Sequence, residues 1–198
     1  MKKNLSELVF ILDKSGSMYG FEADTVGGFN SMIEKQKGEE GDAFVTTYLF
    51  SNDVKMLHDR IPLDKIEPLK VERFCVGGST ALYDAIGAAI DQVELIHKYA
   101  RKDDVPEHTI FVISTDGLEN ASRIYSHKRV RSMIERKEKE EGWEFIFLGA
   151  NIDVAAVSSG LGITSALEVP VCEDGIEKAY CMMSEAISSR RRSPKDIK

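Results

Sequence analysis

The chain has 198 residues, 42% of them hydrophobic and 30% charged, enough for one domain with a sizeable core. That balance excludes a disordered chain, a collagen-like fibre and a disulfide-dense mini-protein. A formal net charge of −7 argues against nucleic acid or a membrane surface as partner.

The first apolar run, Leu8–Leu12, is preceded by Glu7 and stopped by Asp13, and reads as a strand buried on both faces. It is shorter than the roughly 7–15 apolar residues of a secretion signal, and no stretch approaches the about 18 of a membrane span. Cys75, Cys172 and Cys181 have no paired spacing and read as reduced thiols, so a cytoplasmic location is expected. Val26, Phe29, Met32 and Ile33 share one face of a helix near 25–37. Two strands at 43–51 and 54–61, joined by Ser51-Asn52-Asp53, form an antiparallel hairpin. A longer helix near 81–99 carries Leu82, Ala85, Ile86, Ala89, Ile90 and Val93 on its apolar face.

The run Thr109–Ser114 is a second buried strand and Glu144–Leu148 a third, separated by a highly charged helix near 126–141 whose run Arg129–Glu141 reads as a solvated face. Trp143 is expected at the sheet edge. Asp153 caps the next helix, which ends at Gly160-Leu161-Gly162. A short strand near 167–171 and a helix near 174–189 follow. Strands alternating with helices imply an α/β fold with a parallel or mixed sheet covered on both faces. One domain over residues 1–187 is expected, with 188–198 as a basic, mobile tail carrying three Arg and two Lys against one Asp.

In such sheets ligands bind beyond the carboxyl ends of the strands. The loops there read Asp13-Lys14-Ser15-Gly16-Ser17, Gly77-Gly78-Ser79-Thr80 and Thr115-Asp116-Gly117. They assemble an oxygen-only set, Asp13, Ser15, Ser17, Thr80 and Asp116. Hard divalent cations take such ligands, and Mg²⁺ keeps water at its remaining positions. The set also suits Mn²⁺ or Ca²⁺, and without His or Cys it disfavours zinc. His58, His97, His108 and His127 are expected at the surface. Asp84, one helical turn beyond Thr80, reads as a surface carboxylate of its helix, with a supporting role behind the ligands as the alternative.

The order Asp-x-Ser-x-Ser, Gly-Gly-Ser-Thr-Ala-Leu-Tyr-Asp-Ala-Ile and Ser-Thr-Asp-Gly resembles a von Willebrand factor A domain, of the small stand-alone bacterial or phage type. The resemblance covers about residues 5–155 well. It implies a Rossmann-like, doubly wound, mostly parallel sheet with one antiparallel edge strand and helices on both faces. It also implies a metal-ion-dependent adhesion site. Ser15, Ser17 and Thr80 would bind the ion through hydroxyls, and Asp13 and Asp116 directly or through water. A carboxylate from a partner protein would complete the shell. Thr80 is preferred over Ser79 because it precedes Ala-Leu-Tyr-Asp, which leaves Ser79 as a helix cap. The expected function is a non-enzymatic protein-interaction module. The alternatives are a Mg²⁺-dependent phosphatase of the haloacid dehalogenase type, disfavoured because Ser15 stands where the general acid would be, and a structural subunit with a vestigial site. The oligomeric state is left open.

Overall fold

A computed structural model describes residues 2–169 and 175–193, with the side chains of Lys2 and Lys3 excepted. Six strands form one sheet: β1 (Lys2–Asp13), β2 (Asp42–Phe50), β3 (Val54–Pro62), β4 (Pro106–Thr115), β5 (Glu144–Gly149) and β6 (Ser165–Glu168). They lie in the order β3-β2-β1-β4-β5-β6. Only β3 runs antiparallel, at the edge, and all other pairings are parallel. The helices are α1 (Glu22–Lys37), α2 (Leu82–Tyr99), α3 (His127–Glu141), α4 (Val154–Leu161) and α5 (Gly175–Arg192).

Alternation along the central strands builds two cores. Leu8, Phe10, Leu12, Val112 and Ile146 point to the face covered by α1 and α5. Val9, Ile11, Phe111, Ile113 and Phe147 point to the face covered by α2, α3 and α4. The order reverses between β1 and β4, the place where an open α/β sheet leaves a crevice at its carboxyl ends. Asp13 closes β1 there and Thr115 closes β4.

Several expectations shift. The late strand is Ser165–Glu168, about two residues earlier than expected, and 170–171 lie outside the described residues. The last helix runs to Arg192, so the boundary expected at 187/188 falls inside it. Its end is pinned rather than mobile: Arg191 is buried and donates to the main-chain oxygens of Gln36 (2.8 Å) and Gly41 (3.0 Å) beyond the end of α1. Gln36 in turn donates to Ser184 and Ser188. Residues 194–198 of the expected tail, and Cys172, lie outside the described residues, while Cys75 and Cys181 are free thiols.

The charged helix α3 is not solvated throughout. Lys137 is fully buried, paired with Glu94 at 3.0 Å and with Glu141, its ammonium 4.7 Å from the Trp143 ring centroid. Trp143 is not at the edge, because it stacks on Phe111 of central β4 at 5.3 Å. The histidine expectation holds for His127 alone: His108 is buried, His97 lies 2.7 Å from the buried Glu7, and half-buried His58 contacts Thr47 Oγ1. Gly162 ends α4 in the left-handed conformation, and Asp153 caps that helix by accepting from Ala156 N at 2.9 Å.

Candidate metal centre

All five expected ligand positions meet at the carboxyl end of β1 and β4. Asp13, Ser15, Thr80 and Asp116 are buried and Ser17 is exposed, which places the mouth of the site at Ser17. After β1 the chain makes a single 3₁₀ turn, Gly16–Met18, that brings Ser15 Oγ and Ser17 Oγ to 3.0 Å. Ser17 Oγ donates to Asp116 Oδ1 at 2.5 Å. Asp13 Oδ1 accepts from Ser15 N at 2.7 Å, and its Oδ2 accepts from Thr115 Oγ1 at 2.6 Å.

Two glycines make this convergence possible. A Cβ on Gly117 would stand 3.1 Å from both Ser17 Oγ and Thr80 Oγ1, so those hydroxyls converge on one point and a side chain there would crowd both. Gly78, at φ +86°, gives its carbonyl to Gly16 N at 2.9 Å, and Lys14 O accepts from Gly77 N at 2.8 Å. These bonds stitch the loop that holds Thr80 to the loop that holds the serines.

No family model and no curated relative matches the sequence. Solved structures do. The chain is similar to an ArnB paralogue from Sulfolobus acidocaldarius, at 17% identity over 92% of this chain and a TM-score of 0.59. It is similar over 98% of its length to the von Willebrand factor domain of a type V pilus tip protein from Porphyromonas gingivalis, at 10% identity and a TM-score of 0.61. The fold is that of a von Willebrand factor A domain. A third relative by structure, proximal thread matrix protein 1 of the mussel byssus, has a zinc-occupied metal-ion-dependent adhesion site, at 14% identity over 96% of this chain and a TM-score of 0.61. The chain spans 45% of the archaeal protein and 47% of the mussel protein, but 99% of the pilus-tip domain.

The electrostatics of the site are lopsided. Burial pushes the Asp13 carboxyl above its usual range, against the hydrogen bonds from Thr115 and Ser15, and the nearby Asp116 pushes the same way. Burial also raises Asp116, against the bond from Ser17. Among the described residues, the hydroxyls and the amide that bond these two carboxylates are neutral groups. Among the described residues, neither Asp13 nor Asp116 forms an ion pair with a lysine, arginine or histidine.

The sequence reading missed the groups that hold the ligands. Thr115 stands in the Ser-Thr-Asp-Gly motif but was given no role. Its single hydroxyl proton goes to the charged Asp13 oxygen, the shorter contact, rather than to Gly117 O at 3.0 Å. Asn120 Oδ1 accepts from Thr80 N at 2.8 Å, and Asn52 Oδ1 accepts from Ser79 N at 2.6 Å. Ser79 does not cap α2. The N-cap position is Ala81, and the first-turn amides of Tyr83 and Asp84 donate to Glu119 Oε2 and Ser122 Oγ of the loop after β4. Asp84 is no surface carboxylate either. It is buried and accepts from the main-chain nitrogens of Arg123, Ile124 and Tyr125, which fixes the far half of that loop. Asn52, Glu119 and Asn120, polar residues past strand ends, and Asp84, one turn beyond Thr80, carried a positional signal, but the partners they hold lie about 30–40 residues away and were not legible.

Proposed function

We propose that the chain is a metal-dependent protein-interaction module. Asp13, Ser15, Ser17, Thr80 and Asp116 hold a divalent cation that takes a carboxylate from a partner protein. The observation that carries this reading is the convergence of two buried carboxylates and three hydroxyls whose mutual partners are neutral. The ligand separations also fit: oxygens at bond lengths of about 2.1 Å around an octahedral ion stand about 3 Å apart, the spacing of the two serine hydroxyls.

When bound, the ion supplies a Lewis-acidic position open to an outside oxygen. The protein's part is to orient the donors and to leave charge uncancelled, since three of the five donors are neutral hydroxyls. Mg²⁺ is the proposed ion, and Mn²⁺ or Ca²⁺ suit the same donors. The zinc in the mussel protein's site supports a divalent ion of some kind and weakens the sequence argument against zinc.

We assign no reaction. Ser15 Oγ and Ser17 Oγ bond to each other and Ser17 Oγ donates to Asp116, while His97 is bound to Glu7 and His58 to Thr47. No helix is long and apolar enough to cross a membrane among the described residues. A cytoplasmic place and a bacterial or phage origin remain part of the proposal.

The test is calorimetric titration of chelator-treated protein with Mg²⁺ and Mn²⁺, beside Asp13→Asn and Thr80→Ala. Saturable binding that both variants lose by tenfold or more supports the site. Wild-type binding that neither variant weakens overturns it.

A further inference from the structure

We infer that the partner offers its carboxylate from between large apolar side chains, not from an acid-rich segment. This rests on the metal-dependent reading above and adds what the partner looks like around the carboxylate.

Eight large apolar side chains stand exposed among the described residues, and four of them lie on loops of the metal pole. Tyr19 is 81% exposed and Phe21 38%, two and four residues beyond Ser17. Leu118 is 61% exposed, two residues beyond Asp116, and Ile124 is 72% exposed on the loop that Asp84 holds. Consecutive Cα atoms are about 3.8 Å apart, so Tyr19 and Leu118 stand within about 8 Å of ligand residues on two different loops. With Phe21 and Ile124 they put four exposed apolar side chains on the two loops that carry Ser17 and Asp116, the apolar collar of this inference. Collected apolar surface of this kind marks an interaction site, and aromatic side chains next to a polar anchor carry much of the binding energy of such sites.

Beside Asp116 the surface opens into a cavity of about 620 Å³, walled by Met18, Phe21, Ile152, Val169 and Ile176. It is large enough for a neighbouring apolar side chain. Asp24, Asp153 and Glu168 also line that cavity, on a chain of net charge −7. A partner with several carboxylates would meet these three as well as the metal and be repelled. A partner with one carboxylate in apolar surroundings meets the metal, the collar and the cavity together.

The test uses fluorescent synthetic nonapeptides with one central Glu, flanked by Leu and Phe in one series and by Ser and Gly in another, and a poly-Glu peptide. Anisotropy is read with Mg²⁺ and with chelator, on the wild type and on a Tyr19→Ser/Leu118→Ser double variant whose own Mg²⁺ affinity is measured by calorimetry. The expected result is Mg²⁺-dependent capture of the apolar-flanked peptide at least about tenfold tighter than of the others. The double variant loses that margin while its Mg²⁺ affinity stays within about twofold of wild type. Equal capture of apolar- and polar-flanked peptides, or strongest capture of poly-Glu, overturns the collar and leaves the metal-dependent reading standing. Mg²⁺ binding with no Mg²⁺-dependent capture of any carboxylate peptide overturns that reading, and the collar with it.

Discussion

Strand β1 carries two buried carboxylates on one face, Glu7 in mid-strand and Asp13 at its carboxyl end. Glu7, Val9, Ile11 and Asp13 alternate onto the side covered by α2, with Glu7 and Asp13 about 20 Å apart at strand rise. Glu7 is answered from within the protein. His97 Nε2 lies 2.7 Å from one of its oxygens, and Arg60 Nε lies 3.1 Å from the other, in an ion contact off the ideal hydrogen-bond direction. Arg60 is delivered by an irregular stretch of the β2–β3 pairing, where its φ is +46°, its N–H goes to Thr46 Oγ1 and its guanidinium rests on the Phe44 ring. Among the described residues Asp13 receives hydrogen bonds from the neutral groups of Ser15 and Thr115, with Asp116 as a charged neighbour of like sign. Burial alone therefore does not separate a structural carboxylate from a functional one. The sign of the partner does: Glu7 is paired with a cation in place, whereas Asp13 faces neutral donors, as the proposed cation site requires.

The sharpest way to break this comparison is to neutralise each carboxylate without changing its shape. Glu7→Gln leaves Arg60 without its counter-ion inside the protein. Breaking a buried pair costs about 3–5 kcal/mol, and with a fifth of the Arg60 side chain exposed the expected loss is nearer about 2–3 kcal/mol. That corresponds to roughly 5–10 °C in melting temperature for a chain of this size. The loss should be the same in Mg²⁺ and in chelator, as read by thermal denaturation. A loss that appears only with Mg²⁺ would tie Glu7 to the metal pole and end the contrast.

Asp13→Asn should behave in the opposite way. In chelator it keeps the wild-type melting temperature or gains slightly, because it removes a buried charge that nothing opposes. In Mg²⁺ it should lack the ligand-induced rise, worth about 2.7 kcal/mol when the ion is at a hundred times its dissociation constant. The same pole predicts a pH dependence. A carboxyl whose folded pKa is raised contributes stability that is full below the unfolded value and is lost as pH rises through the folded one. Acidification therefore favours the metal-free fold at Asp13 and Asp116 while protons displace the ion. The gap between the Mg²⁺ and chelator melting curves should close as pH falls from about 8 towards about 4, starting above the ordinary carboxylate range. A gap that persists unchanged to the acid end would show that these two carboxyls do not hold the ion.

How much of this was legible in the sequence depends on range. The buried strands, the edge hairpin and the five positions that the structure brings together were readable because each is local: an apolar run of β-branched residues, a short polar turn, a carboxylate or hydroxyl just past a strand end. Glu7 was visible only as the residue that made an apolar run too short for a secretion signal. Its partners Arg60 and His97 lie 53 and 90 positions away on other elements, and no spacing rule joins them. The same holds for Asp84 and the loop at 123–125, and for Lys137, whose burial depends on Glu94 of α2 and on Trp143. Charged residues were read as solvated because that is their usual state; each exception here is a pair made by tertiary contact.

The smallest expected effect separates two adjacent hydroxyls at the metal pole. Thr80 is buried, its N–H is held by Asn120, and its Oγ1 points at the spot beside Gly117 that Ser17 Oγ also faces. Ser79 is exposed, and its N–H goes to Asn52. Capping cannot rescue a role for the Ser79 side chain, because Glu119 and Ser122 already take the first-turn amides of α2. Ser79→Ala should therefore change stability by no more than about 0.5 kcal/mol. Mg²⁺ affinity should stay within about twofold in the same calorimetric titration in which Thr80→Ala loses tenfold or more. If instead Ser79→Ala weakened the ion as much as Thr80→Ala does, the donor set would extend to the exposed side of the loop. The contrast with the closed, self-sufficient Glu7 site would then be wider than the five positions describe.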